Sequence, residues 1–197
     1  VRVMNQLAYE GGKPSPGYFV DGLKPHPSLA HFGPDEDLLR VERNYFHHNA
    51  SLDDGYGVNV AGGAFATIEG NVFDFNRHAV SANGLSVGYV ARHNYVLQGG
   101  FTYPDNGYYG QHFDMHGSDS DGNGGSGGQS VPIEENTIRG EQKYGGVAGF
   151  EMKTRPAFEL RGRTANGAVF QGNIVVHDDE REAIRLKGFD LADTNGN

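Results

Sequence analysis

The stretch "ATIEGNVFDFN" (residues 66–76) decides how the chain is read, because it recurs. Four other segments align with it without a gap: "LRVERNYFHHN" (39–49), "YVARHNYVLQG" (89–99), "VPIEENTIRGE" (131–141) and "AVFQGNIVVHD" (168–178). Each carries an asparagine at the same place: Asn44, Asn71, Asn94, Asn136 and Asn173. Apolar residues flank it in alternation, the period of a strand with one buried face. Asparagine tolerates the left-handed backbone conformation, and its amide can hydrogen-bond along a stack. Five in register predict an asparagine ladder at a repeated bend.

A second set of segments lies between the first: "GVNVAG" (57–62), "AVSANG" (79–84), "HFDMHG" (112–117), "AFELRG" (157–162) and "AIRLKG" (183–188). All five end in glycine, and their second and fourth positions are apolar, again with period two. "GFEMKT" (149–154) fits the same template, but "AFELRG" leads into the next Asn segment after a gap like those of the other rungs. The Asn-to-Asn spacings are 27, 23, 42 and 37 residues. The shorter two suit one turn of a stacked solenoid, and the longer two contain insertions. The main rival, an antiparallel sandwich built from hairpins, does not require a single-residue ladder.

The pattern resembles the right-handed parallel β-helix repeat proteins, the pectate-lyase-like superfamily, over roughly residues 39–188. The fold expected is all-β: a right-handed single-stranded parallel β-helix (solenoid) of about five coils with an asparagine ladder. Loops 98–110 and 117–130 are insertions in it. Residues 1–38 hold five of the eight prolines and read as an irregular N-terminal arm or incomplete coil, and residues 189–197 as a frayed tail. The resemblance also implies an extracellular or periplasmic location.

Bulk composition agrees. Glycine accounts for 31 of 197 residues without a collagen period, which suits many turns between short strands. The formal net charge is −9 and no basic patch stands out, which argues against nucleic acid. There is no cysteine, so disulfides and thiolate zinc sites are excluded. No apolar run approaches the ~18 residues of a membrane span, so no membrane insertion is expected.

Stacking the second set in register, with rungs about 4.8 Å apart, gives three outward columns. They are Gly57, Ala79, His112, Ala157, Ala183; then Asn59, Ser81, Asp114, Glu159, Arg185; then Ala61, Asn83, His116, Arg161, Lys187. The middle rungs thus collect His112, Asp114, His116, Glu159 and Arg161 as candidate catalytic residues. Two carboxylates on adjacent rungs repel and raise one pKa, which favours a general acid beside an ionised partner. Asn83, Arg185 and Lys187 flank them as substrate contacts, and Arg155 is placed to orient a substrate anion or hydroxyl. The loop before the middle strand offers Tyr103, Tyr108 and Tyr109, whose faces can pack on sugar rings while their hydroxyls stay wet. The loop after it contains Asp119, Asp121 and Asn123 followed by Gly124, the opening of a calcium loop without its closing glutamate, since Ser130 stands there.

Three functional readings follow. The first is a carbohydrate-active enzyme cleaving a polysaccharide or oligosaccharide laid along this face. The resemblance implies a glycoside hydrolase, with Asp114 and Glu159 as the acid/base pair, or a polysaccharide lyase, with His112 or Arg161 as the proton acceptor. Ca²⁺ is the cofactor that the loop suggests. The second reading is a non-catalytic glycan-binding, adhesin or tail-spike-like module. The third is a transition-metal enzyme or metal carrier, with His112, Asp114 and His116 holding Zn²⁺ or Cu²⁺ from one strand face.

Overall fold

The computed structural model describes residues 2–4, 40–49, 55–83, 87–99, 111–119, 122–139, 156–177 and 182–187, the first three by their backbone alone. Among them are sixteen strands and no helix, so no helix is long and apolar enough to cross a membrane. The strands form three sheets. Sheet A runs β1 (Arg2–Met4), β4 (Tyr56–Ala61), β7 (His78–Asn83), β10 (Phe113–His116), β13 (Phe158–Leu160), β16 (Ile184–Leu186). Sheet B holds β2 (Arg40–Glu42), β5 (Phe65–Glu69), β8 (Gly88–Arg92), β11 (Val131–Glu134) and β14 (Ala168–Gln171). Sheet C holds β3 (Tyr45–His47), β6 (Val72–Asp74), β9 (Tyr95–Val96), β12 (Thr137–Arg139) and β15 (Ile174–Val176).

Every strand pairing is parallel, and the chain visits sheets A, B and C in the same order on each pass. That arrangement is compatible with a parallel β-helix, and it overturns the antiparallel sandwich. The second set of segments forms sheet A, and each Asn segment supplies one strand to sheet B and one to sheet C. Phe158–Leu160 pairs with both β10 and β16, so "AFELRG" is the fourth rung. The competing "GFEMKT" lies outside the described residues. So do "YFVDGL" (18–23), which reads as a strand of the incomplete N-terminal coil, and the tail beyond residue 187. The sequence pattern did not announce β1, which pairs with β4.

Alternation builds the core as columns. Val58, Val80, Phe113 and Phe158 stack on sheet A, as do Val60, Ala82, Met115 and Leu160. Sheet B contributes Val41, Ile68, Ala91 and Ile133, and sheet C contributes Phe73, Val96 and Ile138. All of these side chains are buried. Each of the larger ones contributes roughly 1.5–3 kcal/mol by leaving water.

The five asparagines are hydrogen-bonded in series. Nδ2 of Asn44, Asn71, Asn94 and Asn136 donates to Oδ1 of the next asparagine at 3.2, 3.1, 3.0 and 3.0 Å. The same Oδ1 atoms accept the backbone N–H of the preceding asparagine at 2.9–3.0 Å. One expectation needs correction. The left-handed residue is not the asparagine but the one before it: Arg43 (φ 54°), Gly70 (65°), His93 (54°), Glu135 (55°) and Gly172 (64°). The asparagine amide ties the bend together, and the preceding residue takes the strained backbone. A second, shorter pair follows the same rule: Asn49 Nδ2 donates to Asn76 Oδ1 at 2.7 Å, each after a left-handed residue, His48 or Phe75.

Candidate functional site

The outer face of sheet A carries the polar columns in the register expected. Asp114 stands opposite Ser81 and Glu159, Glu159 opposite Arg185, and His116 opposite Asn83. Alternation places them here because Phe113, Met115, Phe158 and Leu160 occupy the core on either side. What alternation does not convey is burial. His112, Asp114 and Glu159 are 1%, 0% and 2% exposed. The patch is therefore not a solvated strand face.

Asp114 is the hub. Arg161 grips it with two hydrogen bonds, Nε to Oδ1 at 3.2 Å and Nη2 to Oδ2 at 2.6 Å. His116 Nε2 lies 2.7 Å from the same Oδ2 and also touches Arg161 Nη2. His78 Nε2, from the neighbouring β7, stands 3.9 Å away. Its Nδ1 lies 2.6 Å from Gln111 O and 3.2 Å from Gln111 N, so the backbone of that residue holds the ring. From the core side, the Tyr89 hydroxyl donates to the Asp114 carbonyl at 3.5 Å. Burial alone would push the Asp114 carboxyl up, but His116, Arg161 and His78 together hold it far below the usual carboxylate range. Burial would lower the Arg161 guanidinium, but Asp114 raises it above its ordinary value.

Glu159, one rung on, is pushed the other way. Burial raises its carboxyl and the Asp114 charge adds to this, partly offset by Arg161 and Lys187. Lys187 Nζ lies 3.1 Å from Oε1 and Arg185 Nη1 3.8 Å from it. Neither carboxylate oxygen has a partner in hydrogen-bond geometry, so these are ion pairs without directed bonds. The two adjacent carboxyls thus have opposite tendencies, with burial rather than the repulsion expected from the columns as the larger cause at Glu159.

The described residues of the glycine-rich segment after β10, 117–119 and 122–130, are tied together by hydrogen bonds. Gly117 N–H donates to Gly122 O at 2.9 Å, Gly122 N–H to Asp119 O at 2.8 Å, and Ser126 N–H to Ser118 Oγ at 2.9 Å. Gly127 and Arg163 then join this segment to the turn after β13, Gly127 N–H to Arg163 O at 2.8 Å and Arg163 N–H to Gly125 O at 2.9 Å. A side chain at Gly117 would collide with the Gly124 and Arg161 carbonyls, and one at Gly162 with the Gly127 and Gly117 backbones. Gly122 (φ +70°) faces His116, where a Cβ would stand 3.1 Å from Nδ1. The loop thus packs against the His116 ring and the Arg161 backbone. Sequence reading missed this role, although the density of glycines beside the candidate strand was its signal.

The Asp119 carboxylate folds over Gly124 and Gly125 of its own loop. Asn123 is half-buried nearby, and Asp121 lies outside the described residues, so the calcium expectation rests on sequence alone. Among the described residues no three His, Cys, Asp or Glu side chains are grouped to hold a metal ion, and the Zn²⁺ or Cu²⁺ reading at His112, Asp114 and His116 draws no support from them. Tyr103, Tyr108, Tyr109 and Arg155 also lie outside the described residues. No protein-family model matches the chain, and neither a curated protein nor a solved structure matches it.

Proposed function

We propose that the chain is a right-handed parallel β-helix of the pectate-lyase-like kind, stiffened by its asparagine ladder. We further propose that it cleaves an acidic polysaccharide by β-elimination on the outer face of sheet A. The observation that carries this reading is the Asp114–His116–Arg161 cluster. The His116 side chain is 29% exposed, whereas those of Asp114 and Glu159 are 0% exposed. In the hydrolase alternative both carboxyls must touch the sugar, and full burial disfavours that.

Elimination asks for a base beside a cation. With Nε2 turned to Asp114, His116 Nδ1 takes the proton α to the uronate carboxylate; the C–H electron pair becomes the new carbon–carbon double bond as the glycosidic C–O bond breaks, and the departing oxygen takes a proton from water. Ionised Asp114 orients the ring and stabilises the imidazolium that forms. Arg161 and Lys187 answer the substrate carboxylate and the negative charge that develops on it. These local cations also offset the repulsion expected from a net charge of −9.

The test is incubation with a panel of polyuronates, followed by ultraviolet absorbance of the unsaturated product. Turnover that disappears in His116→Gln while far-ultraviolet circular dichroism is unchanged supports the reading. New reducing ends without a double bond would move the assignment to hydrolysis. Binding without any product would move it to the non-catalytic module.

A further inference from the structure

Two histidines away from this site share a different geometry. His47 closes β3, and His48 follows it with a left-handed backbone (φ 54°). Their Nδ1 atoms stand 3.1 Å apart. Neither ring is loose. His47 stacks on Tyr45 with centroids 4.5 Å apart, and His48 lies against Phe75 at 4.8 Å. Tyr45 is itself held by a 3.1 Å hydrogen bond from its hydroxyl to Asp74 Oδ2, across the strand pair β3–β6. Both histidines are exposed.

We propose that His47 and His48 form a bidentate surface site for a late divalent transition metal, taking Cu²⁺ in preference to others. Metal–imidazole bonds run near ~2.0–2.1 Å, so nitrogens 3.1 Å apart subtend about 100° at a shared ion. That angle lies between the square-planar and tetrahedral values. Both rings then adopt the Nε2–H tautomer, which frees the two Nδ1 lone pairs. Imidazole suits copper, nickel and zinc, and the general affinity order places Cu²⁺ tightest. Hard cations such as Ca²⁺ seek oxygen and are refused. Water completes the coordination, since no third His, Cys, Asp or Glu joins the pair among the described residues. Bracing by Tyr45 and Phe75 lowers the ordering cost of binding.

The experiment titrates copper(II) sulfate into the full chain at neutral pH, read by calorimetry and by electron paramagnetic resonance. The expected result is a site of one equivalent with two-nitrogen coordination. His47→Gln weakens it about tenfold or more. So does His48→Asn, which keeps a residue tolerant of the left-handed backbone. His93→Gln, an exposed histidine on another bend, leaves it unchanged. Absence of binding below millimolar copper overturns the proposal. So does a His47→Gln/His48→Asn double variant that binds like the parent, because the copper then sits elsewhere.

Discussion

Replacing Asn94 with alanine tests whether the asparagine series holds the sheets together. Asn94 is 2% exposed, and its amide makes four bonds. Oδ1 accepts Asn71 N–H at 3.0 Å and Asn71 Nδ2 at 3.1 Å. Nδ2 donates to Ile68 O at 2.8 Å and Asn136 Oδ1 at 3.0 Å. After substitution Asn71 Nδ2 keeps Val41 O, and Asn136 Oδ1 keeps Asn94 N–H. Asn71 N–H is left with no acceptor inside a buried bend, which costs about 1–3 kcal/mol, and the other lost bonds add about 1 kcal/mol each at most. The sum is about 1–6 kcal/mol with a midpoint of about 3.5 kcal/mol, a large part of the ~5–15 kcal/mol that holds an ordinary domain together. Asn44→Ala is the control. That residue is exposed at the end of the series, and its amide donates only to Glu42 O and Asn71 Oδ1, so its loss costs about 1 kcal/mol. Urea denaturation followed by circular dichroism measures both. Equal losses of stability would refute the reasoning, because a stack of independent turn residues has no such gradient.

Glu159→Gln should change the pH dependence of stability. Burial and Asp114 raise the folded-state pKa of Glu159, so folding stability falls as pH climbs from the unfolded value near ~4.3 through the raised one. The variant should therefore be the more stable protein at neutral pH and equal to the parent below that window; an advantage that grows on acidification sinks the assignment. Gly122→Ala should cost about 1–2 kcal/mol for the left-handed backbone alone. Its Cβ also presses on His116 Nδ1, so under the proposed elimination kcat should fall several-fold with KM little changed. Turnover equal to the parent's would remove the loop from the site.

Much of the fold was legible because alternation and closing glycines fall at fixed offsets. Aligning five segments on their final glycine was enough to pair Asp114 with Glu159 and His116 with Asn83. The bend was misplaced by one residue for a physical reason. Arg43 and Glu135 are poor candidates for positive φ, yet each holds it where an asparagine amide ties the next turn down. Tertiary hydrogen bonds outweighed local preference, and no single-residue propensity conveys that. Close approach explains the glycines at 117 and 162, and a left-handed backbone the one at 122, a role that the spelling D-x-D-x-N-G does not convey. Burial of the outer face was illegible as well, since period two says which side a residue takes and not whether that side is covered. This last point changes the chemistry most. An exposed Asp114 and Glu159 would serve as reagents. A fully buried Asp114, gripped by Arg161 and His116, serves instead as the fixed charge that orients its neighbours. Under the proposed elimination the reacting group is then the His116 imidazole, whose side chain is 29% exposed.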